Sequence, residues 1–148
     1  MGYLNKCKVL FLCTGNSCRS QIAEAVINQE MGDMWLAYCA GTKPAGYVHP
    51  KAIKALAEIN IKHDGNSKHV DELREVEFDL VVTVCDSTGE ECPAWLGNGI
   101  RVHKRYPDPA KAVGSDEEIM DAFCRVHDDF LEEIPKLAAE YGSKNLGG

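Results

Sequence analysis

The chain has 148 residues, 45% of them hydrophobic, and 16 basic against 23 acidic side chains give a net charge of −7. This length and apolar fraction suit a single domain over residues 1–148 with a substantial core, and no Pro/Gly/Ser-rich stretch marks a boundary. The acidic balance argues against a broad nucleic-acid or anionic-membrane surface, so any anion must bind locally.

In chain order, KVLFLC at 8–13 reads as a strand. A helix follows near 20–31, closed by Gly32, then a strand near 35–40 and a helix near 50–60 opened by Pro50. A short helix is expected near 69–75. FDLVVTVC at 78–85 reads as a fully buried strand and IRVHKRY at 100–106 as a shorter one. The last element is a helix opened by a capping box of Ser115 and Glu118. Ile119, Phe123, Val126, Phe130, Ile134, Leu137 and Ala138 recur in it at helical spacing before Gly142, with Pro135 as the point of a kink.

This alternation predicts an α/β fold: a four-stranded parallel sheet in the order 2-1-3-4, covered by helices in three layers. In such sheets the active site lies beyond the carboxyl ends of the strands. The loop after the first strand begins at Cys13 and the loop after the third at Cys85. If those strands are neighbours, about 4.8 Å apart, both sulfurs reach one edge of the site.

The stretch from Lys8 to Arg19 carries the most chemistry. An apolar strand runs into Cys13, then into Thr14, Gly15, Asn16, Ser17 and Cys18, and then into Arg19. Gly15, Asn16 and Ser17 can bend the backbone so that successive N–H groups point at one centre, and Ser20 can cap the following helix. Such a loop binds tetrahedral anions. Arg19 offers a planar fork of donors for two oxygens, and its charge favours the thiolate of Cys13. Asn16 can also fix the loop by bonding to backbone groups. Asp108, between Pro107 and Pro109, is a turn former or, on a stiff loop near the strand ends, a general acid.

Seven cysteines include no Cys-x-x-Cys pair, and an odd number leaves at least one unpaired. No apolar run approaches membrane-spanning length, and MGYLNKCKVLFLC reaches strand and loop too soon for a cleavable signal, so a cytoplasmic location is expected. Redox chemistry or catalysis is then the better use of the thiols than a disulfide scaffold. His49, His63, His69, His103 and His127 form no ligand-spaced cluster with the cysteines, so no metal site is expected. Cys39 and Cys124 fall on apolar faces and are expected in the core, whereas Cys18 could pair with Cys13 or simply pack.

CTGNSCRS at 13–20 resembles the phosphate-binding loop of low-molecular-weight protein tyrosine phosphatases and of the thioredoxin-coupled arsenate reductases built on that fold. CDSTGEECP at 85–93 looks like the redox segment of the reductases, and YPDPA at 106–110 is similar to the Asp-Pro loop of both groups. The likeness runs from Lys8 to Gly142. It implies Cys13 as nucleophile, Asp108 as general acid, and Arg19 with residues 14–20 as the oxyanion site. It further implies Cys85 and Cys92 as a relay restored by thioredoxin, arsenate as substrate with phosphate or sulfate competing, and no cofactor. Some reductases of this type have a potassium site, and Asn16, Glu24 and Ser67 match its positions. His69 stands where an aspartate is often found, so a cation is not expected here. A phosphatase has no use for Cys85 and Cys92, whereas arsenate reduction needs two electrons, which a pair of thiols supplies by forming a disulfide. Ala110 also replaces the aromatic residue that usually follows Asp-Pro in the phosphatases. The rival readings are hydrolysis of phosphate monoesters and a non-enzymatic oxyanion or redox sensor.

Overall fold

The computed structural model describes residues 6–84, 99–106 and 108–146, without the side chains of residues 138 and 141–146. Cys85, Cys92 and Pro107 lie outside the described residues.

Four strands, β1 (Cys7–Cys13), β2 (Trp35–Gly41), β3 (Leu80–Thr83) and β4 (Ile100–His103), form one parallel sheet in the order β2-β1-β3-β4. Among the described residues, helices α1 (Arg19–Glu30), α2 (Pro50–Glu58) and α3 (Asp116–Leu146) complete the regular structure, with 3₁₀ turns at Val70–Leu73 and Pro109–Lys111. The order is the expected one. Strand β1 alternates between two cores: Val9, Phe11 and Cys13 join Ile22, Val26, Phe123 and Phe130 of α1 and α3, while Leu10 and Leu12 join Val70, Leu73 and Phe78 on the other face. A strand buried on both sides has no polar face, which is why CKVLFLC reads as a continuous apolar run. Among the described residues no helix is long and apolar enough to cross a membrane.

Several boundaries differ from the sequence expectation. The helix expected at 69–75 is a four-residue 3₁₀ turn, capped by the His69 side chain, which accepts from Asp71 N at 3.0 Å. The third strand ends at Thr83 and the fourth at His103, because β4 has only the short β3 to pair with. The Ser115–Glu118 capping box forms, with reciprocal bonds of 3.1 Å. Helix α3 then continues through Pro135 and past Gly142, held to the core by Phe130, Ile134 and Leu137.

Candidate active site

Cys13 ends β1 and pairs in register with Gly41 of β2, so the loop at 14–18 leaves the carboxyl edge of the sheet. Four successive carbonyls of that loop are held from outside. Thr14 O accepts from Lys43 N at 3.0 Å, Gly15 O from Ala45 N at 2.8 Å, Asn16 O from the Gln21 amide at 3.0 Å, and Ser17 O from His49 N at 3.0 Å. A trans peptide sets its N–H opposite its C=O, and no cis bond occurs among the described residues. Anchoring the carbonyls outward therefore turns the N–H groups of residues 15–18 inward. One of them, Asn16 N, donates to Cys13 Sγ at 3.2 Å. The loop is thus a concave array of donors around the sulfur, the geometry that holds a tetrahedral anion.

Asn16 is the hub of this loop. It is fully buried with φ 49°, a left-handed conformation that Asn tolerates better than most residues. Its Oδ1 accepts from Lys68 N at 2.8 Å and from Gln21 Nε2 at 3.2 Å, and its Nδ2 donates to Ser20 Oγ at 2.8 Å. Ser20 is not the helix cap that its position suggested. Helix α1 begins one residue earlier, the N-cap position belongs to Cys18 with no side-chain cap bond, and the Ser20 hydroxyl instead lies 2.9 Å from Cys13 Sγ. The first turn of α1 faces the sulfur, so a side chain there serves the site rather than the helix end.

Arg19 is almost wholly buried. Its Nη1 donates to Tyr106 O at 3.1 Å, and its Nη2 lies 3.7 Å from Asp108 Oδ2. These contacts span nearly ninety positions of sequence and bring the carboxylate to the rim of the loop. Asp108 itself is partly exposed, and its Oδ1 accepts from Ala110 N at 3.0 Å. The buried Tyr106 ring packs edge-on against Phe130 of α3 at 4.4 Å, which anchors the segment just before Asp108. A cavity of about 360 Å³ opens beside Asp108, bounded by Pro109, Arg125, Val126 and Asp129.

The other cysteines differ chemically from Cys13. Burial pushes the Cys18 thiol up to about 12, which makes it a poor nucleophile beside the loop. Cys39 is fully buried as expected, but its thiol donates to Glu24 Oε2 at 3.2 Å; burial and that carboxylate hold it well above the ordinary thiol range. Cys124 packs against the core as expected but is only half-buried, and its thiol donates to Glu58 Oε2 at 3.0 Å. Helix α3 turns its large apolar groups one way, and position 124 falls at the edge of that stripe. Of the relay pair, only the approach is described: Val84 N donates to Leu12 O at 2.9 Å, at the carboxyl edge that Cys13 occupies.

Gln21, His63 and Lys68 support the loop without any sequence signal. Gln21 joins Asn16 to Asn66 O at 2.9 Å, and its Oε1 meets His63 Nε2 at 2.7 Å. Lys68 fixes Asn16 through its backbone, and its ammonium donates to Asn66 O at 2.8 Å and Cys39 O at 3.1 Å. Ser67 and Glu24, at the potassium-type positions, lie in the same network. Ser67 Oγ donates to Gly15 O at 3.2 Å, and Glu24, whose carboxyl is raised by burial, faces Cys39 and the Lys68 charge.

Comparison with known proteins agrees with this architecture. A curated arsenate reductase of Halalkalibacterium halodurans is 45% identical over 140 residues, covering 94% of this chain and 99% of its own. One of Bacillus subtilis is 39% identical over 131 residues, covering 88% and 94%. The crystal structure of an arsenate reductase from Archaeoglobus fulgidus matches with a TM-score of 0.69 at 28% identity, over 86% of this chain and 98% of that one. Residues 8–144 match the family described as low molecular weight phosphotyrosine protein phosphatase, and with a donor-lined Cys13 loop, a buried Arg19 and an Asp108 rim, the chain belongs to that family.

Proposed function

We propose that the protein is a cytoplasmic arsenate reductase that works through three thiols and is restored by thioredoxin. The observation that carries the anion chemistry is the set of four outward-anchored carbonyls, which turns the loop N–H groups toward the side where Cys13 Sγ accepts from Asn16 N. In the first step the Cys13 thiolate attacks arsenic, and Asp108 protonates the oxygen that leaves as water. In the second, the Cys85 thiolate attacks Cys13 Sγ. The S–As bond breaks with its electron pair on arsenic, so As(V) leaves as arsenite and a Cys13–Cys85 disulfide remains. Cys92 then attacks Cys85 and frees Cys13, and a thioredoxin dithiol reduces the Cys85–Cys92 bond. Support for the later steps comes from CDSTGEECP at 85–93 and from relatives that are arsenate reductases over nearly their whole length.

The family's own name favours one other reading, hydrolysis of phosphate monoesters by Cys13, Arg19 and Asp108, with water completing the cycle. Mixing reduced protein with stoichiometric arsenate separates the two. The reductase releases about one arsenite per chain and loses two free thiols, and Cys92→Ser stops after one turnover with Cys13 bonded to Cys85 by peptide mapping. A chain that forms no arsenite yet cleaves an aryl phosphate is a phosphatase. A Cys13–Cys18 bridge as the main product would rule out the proposed order.

A further inference from the structure

Glu58 at the end of α2 and Cys124 and His127 on α3 bring one ligand atom each to within 4.8 Å of one another. None belongs to the Cys13 site. Cys124 and His127 are three apart on one helix, so they present side chains on the same face, and Glu58 reaches them from a position 66 residues from Cys124. His127 is the unusual member. It is only 4% exposed, yet neither ring nitrogen has a hydrogen-bond partner among the described residues. The Asp128 carboxylate oxygen 3.0 Å from Nδ1 lies at an angle that no hydrogen bond makes. A buried imidazole normally satisfies at least one nitrogen, so this ring is poised toward a partner that the protein does not supply.

We propose that Glu58, Cys124 and His127 form a site for a soft divalent cation, Zn²⁺, which ties α2 to α3. One thiolate, one imidazole and one carboxylate are a donor set that zinc favours, with the fourth tetrahedral position left to water because Glu58 is exposed. Ligand atoms around zinc sit about 3.5 Å apart. The pair already at 3.0 Å and the 4.8 Å outer limit therefore require only side-chain adjustment. On binding, the Cys124 thiol gives up its proton to solvent and its sulfur bonds the metal, with no change of oxidation state. Asp121 and Asp128, which with Glu58 surround the sulfur with negative charge, favour the cation's approach. Chain spacing links only Cys124 and His127, since Glu58 comes from another helix.

Anaerobic titration of the full chain with Co²⁺ reads thiolate ligation directly, through a sulfur-to-cobalt charge-transfer band. We expect one equivalent to develop the band and Zn²⁺ to displace it. Cys124→Ser should abolish the band, while Cys13→Ser should keep it in full. Glu58→Gln changes an exposed position where folding is not at stake, and should weaken binding by at least about 10-fold, the lower bound even for outer-shell partners. Zn²⁺ at a hundred times its Kd should raise the folding constant about 100-fold in the parent chain and not in Cys124→Ser. Absence of the band in the parent chain, its survival in Cys124→Ser, its loss in Cys13→Ser or an unchanged affinity in Glu58→Gln overturns the site.

Discussion

Ser20 Oγ lies 2.9 Å from Cys13 Sγ, placed to donate to the sulfur when Cys13 is a thiolate. The direction follows from the network behind it. Lys68 N can only donate, so the Asn16 atom it meets is Oδ1, and the Asn16 atom facing Ser20 is the donor Nδ2. Ser20 Oγ accepts that bond and has its own hydrogen left for Cys13.

Ser20→Ala removes that donor and the acceptor of Asn16 Nδ2, while Lys68 N and Gln21 still hold Asn16 Oδ1. A hydrogen bond to a charged group contributes about 1.5–3 kcal/mol, so alkylation of Cys13 by iodoacetamide at neutral pH should slow by on the order of 10-fold. Mass spectrometry of the Cys13 peptide measures it, and an unchanged rate would show that Asn16 N alone suffices.

Asp108 and Arg19 should separate chemistry from binding. Asp108→Asn keeps an oxygen for Ala110 N, so the segment stays in place while the acid is lost. Turnover should fall roughly 100-fold or more, with sulfate or phosphate still competing against arsenate at parental concentrations. Arg19→Lys loses the fork that reaches both Tyr106 O and the Asp108 side, and should weaken that competition by about 10-fold or more. Inhibition constants for the two anions check both.

Gly41 gives a steric test. A β-carbon there would press on the carbonyl oxygens of Thr14 and Cys13, the latter at 2.9 Å. Those are backbone atoms in the anchored loop and cannot swing aside. Gly41→Ala should therefore destabilise the fold by about 1–3 kcal/mol in urea unfolding and also weaken anion competition, since the cradle itself must shift.

His63 should make stability depend on pH. Burial, with the Lys68 charge adding to it, holds its pKa below 6.5, and the Gln21 amide orientation makes Nε2 the donor of a neutral ring. A lowered histidine pKa means that the unfolded chain takes up the proton first, so stability is full above 6.5 and falls as pH drops toward the folded value. His49, lowered mainly by burial, adds to the same trend, whereas Glu24, raised by burial, loses its contribution as pH rises through its folded pKa. His63→Gln retains a donor for Gln21. Its unfolding free energy should change less than that of the parent between pH 7 and about pH 5.5.

What the sequence determined by itself is local. The apolar run into Cys13, the capping residues Ser115 and Glu118, and the alternation of strand and helix each depend on neighbours within a few positions, and periodicity reports those directly. Asn16 was legible for the same reason, because its residue type suits the left-handed turn it adopts. Tertiary structure decided the rest. Lys43, Ala45, His49, Gln21 and Lys68 orient the loop, Tyr106 carries Asp108 to Arg19, and Ser20 turns from a helix cap into a donor to sulfur. The bonds of Lys43, Ala45, His49, Lys68 and Tyr106 cross the fold, so their partners are chosen by where elements meet, while those of Gln21 and Ser20 depend on how the loop enters α1. The same holds for Cys124, which the apolar face of α3 sets against the core and the packing of α2 on α3 sets beside Glu58 and His127.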